Sequence, residues 1–278
     1  MTPQFISLGN GGVRFLDTGG DGPAVLMSHG IGESLEFWQP QIEALGKTMR
    51  LVVWDMPGYG LSDTPQTTMT PESVAKAGWL LLDHLGVKGV HLVGNSLGGA
   101  VSLRMAGQAP ARVRSLLLAN AAMLGTEVFG AFKLMTLPLL GELMNKPSAK
   151  AVDMQIRAIV LSPSSISPSL RAVIARNVHR PGASAYFLAA LRSNTSLRGQ
   201  YPAVWQESHR LLGQLQMPTL ILHGRQDVVL PAKHSEKAHA LVPGSELQIW
   251  DDCGHTPQLE RPTAFNTCLI ALVKRAEA

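Results

Sequence analysis

Ser96, Asp227 and His255 have the residue types and the chain order that nucleophilic acyl chemistry requires. A serine hydroxyl is a weak nucleophile near neutral pH until a base takes its proton, and the base needs an acid to orient it. Ser96 stands in Gly94-Asn95-Ser96-Leu97-Gly98, after the apolar run Val90-His91-Leu92-Val93 and before Gly99-Ala100-Val101-Ser102-Leu103. That order reads as a buried strand, a tight turn and a helix. Glycines two residues either side let a strained serine occupy a sharp turn, with Oγ above the sheet end and the first helical N–H groups facing the same space. The pentapeptide alone arises by accident in roughly one chain in ten of this length, so its meaning depends on a base and an acid elsewhere. Asp227 follows Thr219–Gly224 in Gly224-Arg225-Gln226-Asp227, and His255 follows Glu246–Trp250 in Asp252-Cys253-Gly254-His255. Each of the three thus lies just past the carboxyl end of a different predicted strand.

The elements that must position them alternate along the chain. Phe5–Leu8 and Val13–Asp17, joined by Gly-Asn-Gly-Gly, predict an antiparallel hairpin at a sheet edge. Ala24–Met27, Leu51–Trp54, Val90–Val93, Val113–Ala119, Thr219–Gly224 and Glu246–Trp250 predict further strands, most of them continuous apolar runs of the kind buried on both faces. Helices are predicted over about 37–46, from Thr70 as N-cap to Gly86 past the C-terminus, over 97–108, over 231–241 and over 262–276. This alternation implies an α/β class with a mainly parallel sheet and helices on both faces. Residues 121–217 break the rhythm: they are rich in Met, Leu and Ser, and prolines divide them into helical pieces. The expected organisation is a core of residues 1–120 and 218–278, with 121–217 inserted as a helical cap over the carboxyl ends of the strands, where open α/β sheets place their ligands.

Bulk composition narrows the partners. A net charge of +4 and 16% charged residues, without a run of five Lys or Arg, describe a slightly basic solvated surface rather than a nucleic-acid footprint. Two cysteines, Cys253 and Cys268, supply no disulfide framework and fit a reducing compartment. The N-terminus has no basic segment followed by an apolar core, and no apolar stretch reaches spanning length, so a cytoplasmic protein without stable membrane insertion is expected. The histidines are dispersed and no HExxH or paired Cys/His spacing appears, so no metal and no cofactor is expected.

The order Ser, Asp, His belongs to one serine-triad arrangement, and here the chain resembles the α/β-hydrolase superfamily over nearly its whole length. The matching landmarks are His29-Gly30-Ile31-Gly32, Asp55-Met56-Pro57-Gly58-Tyr59-Gly60-Leu61-Ser62, Gly94-Asn95-Ser96-Leu97-Gly98-Gly99, His223-Gly224-Arg225-Gln226-Asp227 and Gly254-His255. The resemblance implies an eight-stranded sheet with the cap inserted after the sixth strand. It is strongest to capped hydrolases that include small carboxylesterases, enol-lactonases and meta-cleavage C–C hydrolases. It implies Ser96 as nucleophile, His255 as base and then acid, Asp227 as its orienting partner, and the N–H groups of Leu97 and Ile31 as oxyanion donors. One such donor is worth about 2.7–4 kcal/mol.

The expected substrate is a small to medium hydrophobic ester or lactone, taken by a monomer or homodimer in an apolar pocket touching Gly30, Trp38, Asn95, Met123 and Val228. Cleavage of C–C bonds in ring-fission products is the alternative. Gly-Asn-Ser favours it, whereas Ile31-Gly32-Glu33-Ser34 and His255-Thr256-Pro257 depart from that group's Ser-Gly-Pro-Gly loop and aromatic residue after the base. A non-catalytic ligand receptor is a third reading. His29 and His223 read as loop organisers, Asp55 as a loop brace and Cys253 as a buried filler. Asn120 places an amide where some relatives carry their acid. The polar insert residues Asn177, His179, Arg192 and Asn194 read as facing water, the alternative being that they hold a substrate carboxylate.

Overall fold

A computed structural model describes residues 2–8 and 11–278. Its eight-stranded sheet joins β1 (Gln4–Ser7), β2 (Gly12–Asp17), β3 (Ala24–Ser28), β4 (Arg50–Trp54), β5 (Val90–Asn95), β6 (Val113–Ala119), β9 (Thr219–Gly224) and β10 (Glu246–Trp250) in the spatial order β1-β2-β4-β3-β5-β6-β9-β10. A separate two-stranded ribbon, β7 (Thr195–Ser196) with β8 (Gly199–Gln200), lies in the insert. Only β1–β2 and β2–β4 pair antiparallel; every other neighbour in the large sheet is parallel. The predicted hairpin is present at the edge, and the Gly9-Asn10 part of its turn lies outside the described residues.

The continuous apolar strands are explained by burial on both faces. Leu26, Val52, Trp54, Leu92, Leu116, Leu118 and Ile221 face one hydrophobic cluster, which takes in α2 (Pro71–His84) and α3 (Leu97–Gln108). The alternate residues Val25, Met27, Leu51, Val53, Val93, Leu117, Leu220 and Leu222 face the other, against α1 (Gln39–Leu45) and α12 (Pro262–Glu277). Thr70 caps α2 by accepting the Ser73 N–H, and Gly86 past its end has φ +68°, as the spacing predicts.

Between β6 and β9 run α4 (Gly130–Met135), α5 (Leu140–Met144), α6 (Ala149–Ile159), α7 (Pro168–His179), α8 (Ala183–Asn194), the ribbon and α9 (Pro202–Leu212). The last of these differs from the rest of the 121–217 stretch. Arg104 of α3 bonds the Ser208 hydroxyl and the Val204 carbonyl of α9, and Leu211 and Leu212 enter the core cluster, so α9 belongs to the helical layer of the sheet. The earlier helices meet the core through a separate apolar cluster, in which Val152, Ile156, Leu170 and Ile174 pack with Phe37 and Leu259, and through polar bonds: Arg176 of α7 bonds Glu36, and Asn177 donates to the Ser34 hydroxyl. Arg180 reaches the carbonyls of Gly58, Gly60 and Ser62. After β9 come α10 (Lys233–Ala240), and after β10 the short α11 (Pro257–Glu260), which spacing alone did not predict. No helix among the described residues is long and apolar enough to cross a membrane.

Candidate active site

The functional residues leave neighbouring strands at their carboxyl ends. Adjacent strands are about 4.8 Å apart, so the ends of β5 and β10 are separated by roughly 14 Å. The excursions lengthen to match: Ser96 immediately follows β5, Asp227 comes three residues after β9, and His255 five after β10. The loop of His255 returns far enough for its carbonyl to accept from Asn95 Nδ2 at 2.9 Å.

Ser96 has φ +54° and ψ −118°, a conformation a side chain adopts only under constraint. The glycines supply that constraint. A Cβ on Gly94 would stand 2.2 Å from the Gly98 carbonyl oxygen, one on Gly98 2.0 Å from the Ser28 carbonyl oxygen, and one on Gly99 2.7 Å from Ala121 Cβ. The elbow is therefore clamped between α3, β3 and the chain after β6. The Ser96 carbonyl accepts from Gly99, Ala100 and Ala122, while the Leu97 N–H, first in α3, meets no acceptor among the described residues. The Ile31 N–H is likewise unpartnered. Its loop is closed by Glu33, whose carboxyl accepts the Gly30 N–H at 2.8 Å and whose own N–H returns to the Gly30 carbonyl.

His255 Nδ1 lies 2.7 Å from Asp227 Oδ2. The same oxygen accepts from Asn120 Nδ2 at 2.7 Å and has His223 Nε2 at 3.2 Å, while Oδ1 accepts the N–H groups of Val229 and Leu230. The buried His223 is fixed as the Nε2–H tautomer, because Nε2 also faces the Leu230 carbonyl, which only accepts, and Nδ1 takes the Ser235 hydroxyl. Burial by itself would raise the Asp227 pKa, but His255 and His223 outweigh it and hold the carboxyl far below the usual range. The Asp227 carboxylate only accepts, so His255 must donate through Nδ1, which leaves Nε2 with a lone pair. Burial works to lower the His255 pKa, and Asp227 reverses this, lifting it above 6.5. Glu33, fully buried and within the field of His255, is pushed up to about 7 by desolvation.

The cleft that opens at Ser96 encloses about 700 Å³, counting its mouth. Ile31, Leu97 and Tyr59 from the sheet side meet Met123, Phe132, Leu191 and other insert residues across it, and no Lys, Arg, His, Asp or Glu lines it. Of the five expected pocket residues only Met123 lies on this cleft. Trp38 is instead in the core, 5.9 Å from the Phe265 ring, because the apolar face of α1 must bury against α12. Gly30 faces the Glu33 carboxyl rather than the cleft. The Asn95 side chain turns into the structure to donate to the Ala119 and His255 carbonyls. Val228 is 57% exposed, since Asp227 turns the chain so that Val229 and Leu230 line the cleft in its place. Asn177 is buried on Ser34, and Asn194 lines the cleft, so neither simply faces water.

The other organisers fall where their types suggest. His29 donates through Nδ1 to the Gly30 carbonyl and accepts the Met56 N–H on Nε2, joining the loops after β3 and β4. Asp55 braces the same region through Leu35, Leu61 and Arg14. Cys253 is fully buried, and its thiol is pushed up to about 12 by desolvation, which makes it an inert filler. No group of His, Cys, Asp and Glu suited to a metal ion occurs among the described residues. Sequence reasoning missed Glu33 and the donor role of Asn120. The Asn120 signal was available, as an amide at the end of β6 with the left-handed φ of +45° that Asn tolerates.

A parallel sheet with a strained serine elbow and a histidine–aspartate pair at later strand ends defines the class of α/β-fold hydrolases. The family described as alpha/beta hydrolase fold matches residues 23–161 and 184–262, and the chain belongs to it. An uncharacterised protein of Mycobacterium tuberculosis is 33% identical over 254 residues, covering 88% of this chain and 74% of that one. A 2-hydroxy-6-oxononadienedioate/2-hydroxy-6-oxononatrienedioate hydrolase of Comamonas testosteroni is 30% identical over 278 residues, covering 95% and 94%. Among solved structures, a thermophilic esterase from Thermogutta terrifontis superimposes with a TM-score of 0.80 at 23% identity, covering 100% of both chains, which shows the shared fold.

Proposed function

We propose that this hydrolase cleaves neutral carboxylic esters or lactones through an acyl-enzyme on Ser96, with His255 as base and Asp227 as its orienting acid. The observation that carries the reading is the 2.7 Å bond from His255 Nδ1 to Asp227, which leaves Nε2 to accept, and the strained Ser96, with the N–H groups of Leu97 and Ile31 unpartnered, supports it. Ser96 Oγ attacks the carbonyl carbon while its proton passes to His255 Nε2. The tetrahedral oxyanion receives the N–H groups of Leu97 and Ile31. Its collapse breaks the ester C–O bond and returns the proton to the leaving alcohol oxygen. Water then repeats the sequence on the acyl-enzyme, giving the acid and free Ser96. The helices before α9 act as the cap that shapes the cleft.

Hydrolysis of a C–C bond in a ring-fission product is the second reading, favoured by the 30% identity to the Comamonas enzyme. The cleft lining speaks for the ester. Such dienoate substrates carry a carboxylate, and burying one where no cationic side chain lines the wall is costly. A panel of p-nitrophenyl esters and lactones, beside an absorbance assay on dienoates, separates the two readings. Ester turnover by the wild type that disappears in Ser96→Ala with an unchanged circular-dichroism spectrum is the expected result. Turnover that survives the substitution rejects the acyl-enzyme, and bleaching of dienoates alone selects the C–C reading.

A further inference from the structure

Three polar side chains stand in the apolar insert wall of the cleft, Asn194, Thr195 and Gln200, and the Asn194 amide nitrogen is already given to the Ala190 carbonyl and the Ser193 hydroxyl. Thr195 and Gln200 face one another as directly paired residues of β7 and β8, which puts both side chains on the same face of the ribbon. Both line the cleft and are only 3% and 4% exposed. The ribbon is held firmly: the Gln200 N–H donates to the Thr126 carbonyl at 2.8 Å, and a Cβ on Gly199 would lie 2.1 Å from that same oxygen. Thr195 Oγ1 and Gln200 Oε1 have no hydrogen-bond partner among the described residues, and neither is sealed from accessible space. Gln200 Nε2 reaches only the Glu127 carbonyl, at 3.4 Å. The two residues are nearly buried and rigidly held while their free oxygens open on the cleft, so together they offer a ligand a fixed pair of hydrogen-bonding groups.

We propose that Thr195 and Gln200 form a subsite for a neutral hydroxyl on the substrate, remote from the carbonyl that Ser96 attacks. The substrate O–H donates to Gln200 Oε1, and its oxygen accepts from the Thr195 hydroxyl. A charged group does not suit the place, because no ionisable side chain other than tyrosine lines the cleft. The proposal rests on the ester reading and names its substrate class: an ester or lactone of a hydroxylated, otherwise apolar acid or alcohol. A site built around a hydroxyl also rejects the analogue that lacks it, since its own polar groups are then left unpaired.

The test is a binding measurement on Ser96→Ala, using phenyl esters of alkanoic acids and of ω-hydroxyalkanoic acids matched in heavy-atom count over a series of chain lengths. At one length the hydroxy ester should bind about tenfold tighter than its partner, the worth of a well-placed hydrogen bond. The preference should vanish or reverse when Thr195→Val and Gln200→Met are added, with thermal melting confirming that the variants fold. Equal affinities at every length, no binding of either series, or a preference that survives both substitutions overturns the subsite. Wild-type turnover of the same esters is read separately. Its absence rejects the ester reading while leaving the binding preference to stand or fall alone.

Discussion

The two walls of the cleft are built on opposite rules. Behind the sheet-side wall the Asp227 carboxylate is saturated: it takes His255, Asn120 and His223 on one oxygen and two backbone N–H groups on the other. On the insert side the wall is apolar, and its Thr195 and Gln200 oxygens are left open. Saturation fixes geometry and charge before substrate arrives, which is what stabilising a developing charge demands. Openness leaves polar groups to be satisfied by the ligand, which is what selection among substrates demands. Beside the sheet-side wall, the buried Asn95 Oδ1 and the N–H groups of Leu97 and Ile31 have no partner among the described residues.

Replacing the saturated acid should have the largest effect. Asp227→Asn keeps the shape but presents an amide to His255 Nδ1, favouring the tautomer with its proton on Nε2, and kcat should fall on the order of 10⁴-fold. A steady-state assay against p-nitrophenyl esters checks this; a loss below tenfold would detach Asp227 from the chemistry. Next, Gly98→Ala drives a methyl group against the Ser28 carbonyl, which is backbone and cannot swing aside. A destabilisation of about 1–3 kcal/mol is expected, read as a drop in thermal midpoint together with lost activity.

Asn120→Leu removes one donor from the Asp227 carboxylate, together with the Asn120 bonds to the Gly254 carbonyl and the Gly224 N–H, so thermal melting is read beside activity. A hydrogen bond to a charged group is worth about 1.5–3 kcal/mol, so kcat should decline roughly tenfold to a hundredfold with KM little changed. An effect on KM alone would place Asn120 at the substrate instead.

The smallest and sharpest effect concerns Glu33. Glu33→Gln still accepts the Gly30 N–H but removes a carboxyl that raises the His255 pKa. If His255 acts as the base, activity needs its neutral form, so the acid limb of kcat/KM, which the raised His255 pKa sets in the wild type, should move to lower pH. Stability follows a separate sign. The Glu33 pKa is about 7 in the folded chain against an ordinary 4.5, so the folded form retains a proton the unfolded form releases, and stability falls as pH rises between those values. The Gln variant loses this decline. Its melting temperature relative to wild type should therefore improve from about pH 5 to about pH 8, and parallel melting curves at the two pH values would remove Glu33 from the account.

Much of this was legible in the chain alone. The continuous apolar runs required strands buried on both faces, because little else accommodates up to six short runs of that kind, most of them separated by helical periods. Gly94, Gly98 and the order of Ser96, Asp227 and His255 pointed to the α/β-hydrolase family, since few arrangements need glycine on both sides of a serine. Local signals failed where side chains choose between neighbours that are distant in sequence. Trp38 and Val228 were expected at the pocket from their positions beside motif loops. Only three-dimensional packing sent Trp38 under α12, and only the capture of two N–H groups by Asp227 turned Val228 outward and Val229 inward.

The same division runs through the site as a whole. Residue types and periodicity determined the class and the sheet and singled out Ser96, Asp227 and His255 as candidates, because these depend on short-range patterns that a sequence displays. The Asn120 bond to Asp227, the Glu33 clasp beneath the oxyanion loop and the open pair at Thr195 and Gln200 were decided by the tertiary structure. Each depends on whether a polar atom finds a partner across a gap of many residues, and that is a property of packing rather than of spacing.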